Sequence, residues 1–273
     1  MATNLITDKC KICDLGAVAA LARFYPETFT TEFLTELEKM LLADDTPLPF
    51  RGNAVMDKIA EFMGKEDPFK ELKQRQLKIA RELNPSSDLA LERATYTSIL
   101  GNLFDVNHVD YEERLASISR MLAGPGTVPG FSDFQAELAE CDKIVYFTDN
   151  TGELLFDKSL VKALEKMGKT VIISPKEGPI ADDATYYEAS QVFDNRIVCC
   201  PKSFGVNLSE ASQELLEEMG SADLLILKGQ ANLESMFDDT TYSKAFLFYS
   251  KCPVLSEHLG INPNMPTCLV KRK

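Results

Sequence analysis

Lys143-Ile-Val-Tyr-Phe-Thr-Asp-Asn-Thr-Gly-Glu153 is the stretch from which the fold can be predicted. Its apolar run, 144–147, predicts a buried strand. Asp149 and Asn150 follow in a tight turn, and a helical pattern begins just after Gly152. Carboxylate and amide oxygens suit a hard divalent cation, and the free N–H groups at a helix start suit a phosphate. The stretch therefore predicts a place where a metal ion and a phosphate could bind side by side.

The composition is that of an acidic globular protein. The chain has 273 residues, of which 45% are hydrophobic and 26% charged, and its net charge is −13. A nucleic-acid partner is disfavoured, because binding nucleic-acid phosphates requires a basic face. No stretch has the length and apolarity of a membrane span and no secretion signal opens the chain, so no membrane association is expected. The seven cysteines show no disulfide framework, which favours a reducing, cytoplasmic location. The oligomeric state is left open.

The first part of the chain, from Asp14 to about residue 123, has helical periodicity. Asp67-Pro68 predicts the start of a helix, with Asp as the N-cap and Pro in the first turn. Asn84-Pro85 breaks that helix, and Ser86 or Ser87 is expected to start the next. Before this region, Cys10 and Cys13 form a C-x-x-C pair. No second pair completes a zinc site, so two free thiols are favoured.

The segment 124–130, Gly-Pro-Gly-Thr-Val-Pro-Gly, is rich in Gly and Pro and is the clearest boundary signal,. It divides the chain into a predicted helical domain, 1–130, and a second domain, 131–273. In the second part, short apolar runs alternate with amphipathic helices. The runs are 144–147, 170–173, 196–200, 224–227, 245–249 and 269–270. The helices are 152–167, 183–191, 209–219 and 233–238. This alternation predicts a three-layer α/β/α domain with a mainly parallel sheet covered on both faces.

Polar residues follow three of the predicted strands. Asp149 and Asn150 end the first strand, and an acidic turn that contains Asp183 follows the second. Lys228 and Gly229 follow the strand 224–227. Ligands of open α/β sheets bind beyond the carboxyl ends of the strands. We therefore expect Asp149, Asn150 and Asp183 to bind a divalent ion such as magnesium or manganese. Lys228 would contact a phosphoryl oxygen, and Gly229 would let the backbone approach closely because it has no Cβ.

Each cluster also has a purely structural interpretation. Asp and Asn are favoured helix N-caps, which would account for Asp149, Asn150, Asp182 and Asp183. Lys228 could be a surface charge at the end of a strand. The functional interpretation depends on all three clusters lying at the same edge of one sheet. The chain has only two histidines, which disfavours a histidine-rich zinc site.

Three longer motifs resemble the signatures of the metal-dependent damage-control phosphatases, a family formerly of unknown function. They are Asp149-Asn-Thr-Gly-Glu-Leu-Leu-Phe-Asp157, Gly178-Pro-Ile-Ala-Asp-Asp-Ala-Thr185 and Lys228-Gly-Gln-Ala-Asn-Leu-Glu234. Four shorter segments resemble lesser motifs of the family in the same order. They are Cys10-Lys-Ile-Cys13, Asp67-Pro-Phe-Lys70, Gly101-Asn-Leu-Phe-Asp105 and Lys251-Cys-Pro-Val254. The match spans nearly the whole chain and is most similar to the compact microbial branch.

The resemblance implies a helical N-terminal domain packed on a Rossmann-like α/β domain. It implies a divalent metal, held by Asp149, Asn150 and Asp183, and hydrolysis of small phosphate monoesters such as sugar phosphates or damaged phosphometabolites. The metals to be considered are manganese, magnesium, cobalt and nickel.

The chain departs from the family's pattern at two places. The family usually has Asn-Asp where this chain has Asp182-Asp183, which leaves open which acid binds the metal. It often has Gly where Ala231 stands, which could narrow the approach to the loop after Lys228.

The expected mechanism is attack by a water molecule activated on the metal, because phosphate-ester hydrolysis mainly needs in-line positioning and charge stabilisation. Lys228 and the N–H groups near Gly152 would hold phosphoryl oxygens, and Glu153 would orient the water. Asn102 and Asp105, which match a motif in the helical part, would close the site over the substrate. The residues expected to contact substrate are Gly152, Asn102, Asp105, Gly229 and Asn232. An aspartyl-phosphate route is disfavoured because the Asp-x-Asp pattern is missing.

Two other functions are considered. Some members of the family have been described as methyltransferases, so an S-adenosylmethionine-dependent carboxyl methyltransferase is one alternative. The chain has no G-x-G-x-x-G turn after a predicted strand, which weakens a cofactor site of that kind. The second alternative is a non-catalytic protein that binds a metal and a metabolite. The phosphatase is the favoured interpretation.

Overall fold

The computed structural model describes residues 15–16, 18–19, 21–43, 46, 49–106 and 111–273. The C-x-x-C pair of Cys10 and Cys13 lies outside the described residues. Among the described residues, every helix is too short or too polar to cross a lipid bilayer.

The first part of the chain is helical, as its periodicity predicts. The named helices of this part are α1 Thr31–Ala43, α2 Arg51–Met63, α3 Lys70–Leu83, α4 Leu91–Gly101 and α5 Tyr111–Ala123. Helix α6, Phe131–Ala139, follows at the start of the second part. A 3-10 turn, Asn102–Phe104, follows α4. Asn84 ends α3 in the left-handed conformation, with φ 44°. The prediction that Ser86 or Ser87 starts the next helix is wrong, since α4 begins at Leu91. The Ser86 hydroxyl instead accepts a hydrogen bond from the Asp88 N–H, which makes a local turn,.

The second part forms a five-stranded sheet with the order β2-β1-β3-β4-β5. The strands are β1 Lys143–Phe147, β2 Thr170–Ser174, β3 Leu224–Lys228, β4 Lys244–Tyr249 and β5 Pro266–Lys271. Strands β1 to β4 are parallel and β5 is antiparallel to β4. The connecting helices are α7 Leu154–Lys166, α8 Tyr186–Ala189, α9 Gln213–Ser221, α10 Gly229–Met236 and α11 Pro253–Leu259. The mainly parallel sheet predicted from the alternation is confirmed.

Several predicted elements differ from the structure in their bounds, and two of these differences have a clear local cause. The run 196–200 does not form a strand, although Val198 N donates to Ile173 O at 3.0 Å and Cys200 N to Pro175 O at 2.8 Å. Pro175 has no N–H and interrupts the ladder that would make this run a strand of the sheet. The helix predicted at 233–238 begins earlier, at Gly229, whose φ of 77° lets the chain turn directly from β3 into α10.

Both faces of the sheet are covered, because successive residues of each buried strand point to opposite sides. Ile144 and Tyr146 of β1 belong to one core cluster, and Val145 and Phe147 to another. The first cluster also contains residues of α4, α6 and α7, and the second contains residues of α9, α10 and α11. Helix α4 of the first part therefore shares a hydrophobic core with β1. The division into domains 1–130 and 131–273 stays a prediction.

Candidate functional site

The turn after β1 and the acidic turn after β2 are joined through their backbones. Asn150 and Asp183 form an isolated antiparallel bridge. Ala184 N donates to Asp149 O at 2.8 Å, and Thr151 N donates to Asp182 O, also at 2.8 Å. The structure thus brings together two of the three polar clusters selected from the sequence.

The Asp149 carboxylate lies against the turn that follows β3. A Cβ at position 229 would lie 1.8 Å from Asp149 Oδ2, and the φ of Gly229 is +77°. Both the space and the backbone conformation thus require glycine here. Asn102 Nδ2 donates to the same Asp149 oxygen at 2.8 Å. The third polar cluster therefore reaches the first through direct contact.

Asp183 is the acid of the 182–183 pair whose charge acts most on Asp149. Burial raises the pKa of Asp149 well above its ordinary value, and the charge of Asp183 raises it further. Burial likewise raises the pKa of Asp183 to about 7. Asp182 turns toward the helical part, where its Oδ2 accepts a hydrogen bond from Gln76 Nε2 at 2.7 Å. That Asp183 binds a metal together with Asp149 stays a prediction.

Lys228 is fully buried and its ammonium group has three acceptors. Its Nζ donates to Glu153 Oε2 at 2.8 Å, to Asp157 Oδ1 at 2.6 Å and to the Ser98 carbonyl at 3.0 Å. Burial alone would lower its pKa, but Asp157 and Glu153 outweigh that effect and the pKa is raised. Contact with a phosphoryl oxygen would require one of these bonds to be exchanged, and this role of Lys228 stays a prediction.

Asn102 connects the helical part of the chain to the acids of the site. Its Nδ2 donates to Glu153 Oε1 at 2.6 Å in addition to Asp149. Its Oδ1 accepts from Tyr249 N at 3.2 Å. Glu153 is fully buried, and burial raises its pKa to about 8 even though Lys228 acts in the opposite direction. Asn102 thus fixes the relative position of two carboxyl groups.

Gly152 and Asn232 make contacts within the protein. Gly152 N, expected to hold a phosphoryl oxygen, donates to Gln76 Oε1 at 3.2 Å. Asn232 Nδ2 donates to Thr148 O at 3.1 Å and to Lys228 O at 2.6 Å, which ties the end of β1 to the end of β3. In this structure both residues stabilise the turns of the site, and their contact with substrate stays a prediction.

Sequence reasoning missed three polar residues of the site. Lys176 is buried, and its Nζ lies 3.9 Å from Asp183 Oδ2. Lys251, which was quoted only as part of a lesser motif, donates to Asp105 Oδ2 at 2.6 Å and to the Asn102 carbonyl at 2.8 Å. Gln76 is buried in α3. Lys176 follows the end of β2 by two residues, so the strand-end rule could have found it, whereas nothing in the local sequence marks Gln76.

The residues fit a hard divalent cation. Asp149 and Asp183 supply carboxylate oxygens, and Asn150 Oδ1 is buried with no hydrogen-bond partner among the described residues. The described residues contain no group of three or more His, Cys, Asp or Glu side chains arranged for a metal. This is consistent with a set of only two carboxylates and one amide oxygen. A cation between the two carboxylates would offset their mutual repulsion, and the buried amide oxygen would gain a partner.

Comparison with known proteins identifies the family. Residues 9–264 match the family model described as the damage-control phosphatase ARMT1-like domain. The chain belongs to this family. The resemblance recognised from the three motifs is thereby confirmed.

Relatives within the damage-control phosphatase family match over most of their length. A damage-control phosphatase of Archaeoglobus fulgidus is 27% identical over 277 residues, covering 94% of this chain and 96% of the relative. A damage-control phosphatase of Pyrococcus horikoshii is 28% identical over 228 residues, covering 80% of this chain and 79% of the relative. The crystal structure of a DUF89 family protein from Pyrococcus horikoshii has a TM-score of 0.80 at 24% identity. The superposed region covers 98% of this chain and 99% of the chain in that crystal structure. That structure shows the same fold.

Proposed function

We propose that this protein is a phosphatase that hydrolyses small phosphate monoesters with the help of a divalent metal ion. Membership of the damage-control phosphatase family supports phosphatase activity. One observation carries the metal dependence. Two buried carboxylates, Asp149 and Asp183, interact electrostatically, and the neighbouring Asn150 has a buried amide oxygen with no hydrogen-bond partner among the described residues. Such a set of oxygens requires a cation to be stable when both acids are ionised.

Asp149, Asn150 and Asp183 would hold the metal. A bound divalent ion would polarise the phosphoryl group and lower the pKa of a bound water. The protein's own contribution is to keep its acids in place. Asn102 holds Asp149 and Glu153 through one amide nitrogen, and Lys228 holds Glu153 from the other side. Glu153 would orient an attacking water by exchanging one of these two hydrogen bonds.

The burial of the site supports a small substrate. Asp149 is 8% exposed and Glu153 is fully buried. A phosphate group on the surface of a folded macromolecule could not reach these side chains without a large opening. Sugar phosphates and other phosphometabolites are small enough to be enclosed, and enclosure would exclude bulk water from the reacting group.

The test is a panel of phosphate esters assayed for released phosphate after metal removal and after adding manganese, magnesium, cobalt or nickel. Asp149→Ala should abolish the metal-dependent turnover. Asp142→Ala is the matched control, because its fully exposed side chain lies just before β1, and it should retain turnover. Full metal-dependent activity in Asp149→Ala would refute the assignment of the ligand. Activity that ignores metal removal would refute the metal dependence, and hydrolysis of no ester would refute the activity.

A further inference from the structure

Three buried lysines lie among the acids of the candidate site, and their ammonium groups are not equally bound. Lys228 donates to two carboxylates and one carbonyl. Lys251 donates to a carboxylate at 2.6 Å and a carbonyl at 2.8 Å. Lys176 donates to the carbonyl of Gly205 at 2.6 Å, and its carboxylate neighbour is 3.9 Å away, beyond hydrogen-bond distance,. The partners of Lys176 are therefore the weakest of the three.

Bulk water does not complete the shell of Lys176, because the residue is only 1% exposed. Lys176 also acts on the thiol of Cys200. Burial raises the pKa of that thiol, and the charge of Lys176 acts in the opposite direction. A carbonyl and a thiol are both neutral, and a thiol sulfur is a weak acceptor. A buried ammonium with neutral partners is unfavourable unless an anion lies nearby.

Asp183 alone cannot supply that anion once a divalent ion is bound. A divalent cation bound by Asp149 and Asp183 would compete with Lys176 for the negative charge of Asp183, its nearest carboxylate at 3.9 Å. A phosphoryl group would bring further negative charge, which the ammonium group of Lys176 would attract.

The backbone holds Lys176 in place before any ligand binds. Lys176 N donates to Ala184 O at 2.9 Å, next to Asp183. Its Nζ is anchored on Gly205, and the adjoining Phe204 N donates to Asn53 Oδ1 at 2.9 Å on helix α2. A preorganised ammonium of this kind needs little rearrangement to bind an anion.

We propose that Lys176 contacts the phosphoryl group of the substrate, next to Asp183, and holds it in the site. This inference rests on the proposed function, since it assigns a residue to the phosphate of that reaction. Lys176 would carry the phosphoryl contact first expected of Lys228, whose three donors are occupied within the protein.

The experiment is calorimetric titration of inorganic phosphate into the full-length, manganese-loaded protein. Lys176→Met should weaken phosphate binding by about tenfold to a hundredfold, because it removes one charge-assisted hydrogen bond from a buried site. Manganese affinity, titrated separately, should be unchanged or higher, since a cation near Asp183 is lost. Lys244→Met is the matched control. Lys244 is also 1% exposed but lies at the opposite end of the sheet, paired with Asp239 at 3.2 Å.

Wild-type phosphate affinity in a folded Lys176→Met that binds manganese would overturn the proposal. A parallel loss of manganese binding would also overturn it, because Lys176 would then only position Asp183. If Lys176→Met does not fold, Lys176→Gln and Lys176→Arg are compared in the same titration, and equal phosphate affinities in these two would overturn the proposal. A wild-type protein that hydrolyses no ester would refute the proposed function. Weaker phosphate binding by Lys176→Met would then still show that Lys176 contacts a bound phosphate, so the two failures can be told apart.

Discussion

Gly229→Ala should displace the Asp149 carboxylate and impair the binding of a divalent ion. The new Cβ would lie 1.8 Å from Asp149 Oδ2, whereas contacts shorter than 3.0 Å are essentially never found. The carboxylate must therefore move by about 1.2 Å, the difference between these two distances. Metal–ligand distances tolerate only about 0.2 Å. We expect manganese affinity to fall by about tenfold or more, and kcat/KM for a phosphate ester by about a hundredfold.

The positive φ of residue 229 would also destabilise the alanine variant, and a control variant separates this backbone effect from the displacement of Asp149. The φ of +77° at Gly229 costs an alanine about 1–2 kcal/mol. Gly168 has a similar φ of +81°, with nothing within 4 Å of an added Cβ. Gly168→Ala should therefore show the backbone cost alone and retain manganese binding. Gly220, in helix α9, has open space and an ordinary φ, so Gly220→Ala should leave stability unchanged or raise it by up to about 1 kcal/mol.

The assays are urea unfolding for stability and calorimetric titration of manganese for the site. Gly229→Ala should be destabilised at least as much as Gly168→Ala, and of these variants it alone should lose manganese affinity. A folded Gly229→Ala protein with wild-type manganese affinity would refute the assignment of Asp149 as a ligand held against the backbone of residue 229.

Three further predictions concern stability. The metal-free protein should become less stable as the pH rises from about 5 to about 8. Burial raises the pKa of Asp183 to about 7 and that of Glu153 to about 8, so the folded state keeps protons that the unfolded chain has released. Bound manganese should make the stability depend less on pH. If the urea midpoint of the metal-free protein does not fall as the pH rises, the prediction is wrong. Asn102→Leu leaves oxygens of Asp149 and Glu153 without their donor and should cost roughly 2 kcal/mol or more in urea unfolding; a loss below about 0.5 kcal/mol would exclude the bridging role. The pKa of Asp223 is lowered by two backbone N–H groups at the entrance to β1. The stability it contributes is therefore present above the unfolded pKa of about 4 and lost as the pH falls through the lower folded pKa. Because the side chain is largely exposed, solvent screens the interaction. Asp223→Asn should cost at most about 1 kcal/mol at pH 7 and progressively less as the pH falls below about 4, as measured by unfolding over this range.

The buried strands could be predicted because their environment is uniform. The apolar runs 144–147, 224–227 and 245–249 lie within one residue of β1, β3 and β4 at each end. A parallel strand buried on both faces needs apolar residues at every position, so composition alone marks it. Strand β5 was largely missed, since only 269–270 was predicted. It is an antiparallel edge strand that begins at a proline and is only partly buried over its second half, which weakens its pattern.

The site could be predicted only in part. The strand-end rule selected Asp149, Asn150 and Asp183, which the structure brings together, because the carboxyl ends of parallel strands meet at one edge of the sheet,. The hydrogen-bond partners of the site residues could not be predicted in this way. Lys228 is held by Glu153 and Asp157, and nothing in the local sequence shows that its ammonium group turns toward helix α7.

The hydrogen bonds of Asn102 also determine when the site can form during synthesis. Asn102 leaves the ribosome 47 residues ahead of Asp149, 51 ahead of Glu153 and 147 ahead of Tyr249. At translation speeds of about 5–20 residues per second, an interval on the order of ten seconds separates the first of these residues from the last. Asn102 is therefore made well before the residues to which it bonds. The nascent protein cannot complete the hydrogen bonds around these acids until β4 has emerged, so the candidate site is among the last parts of the molecule to form.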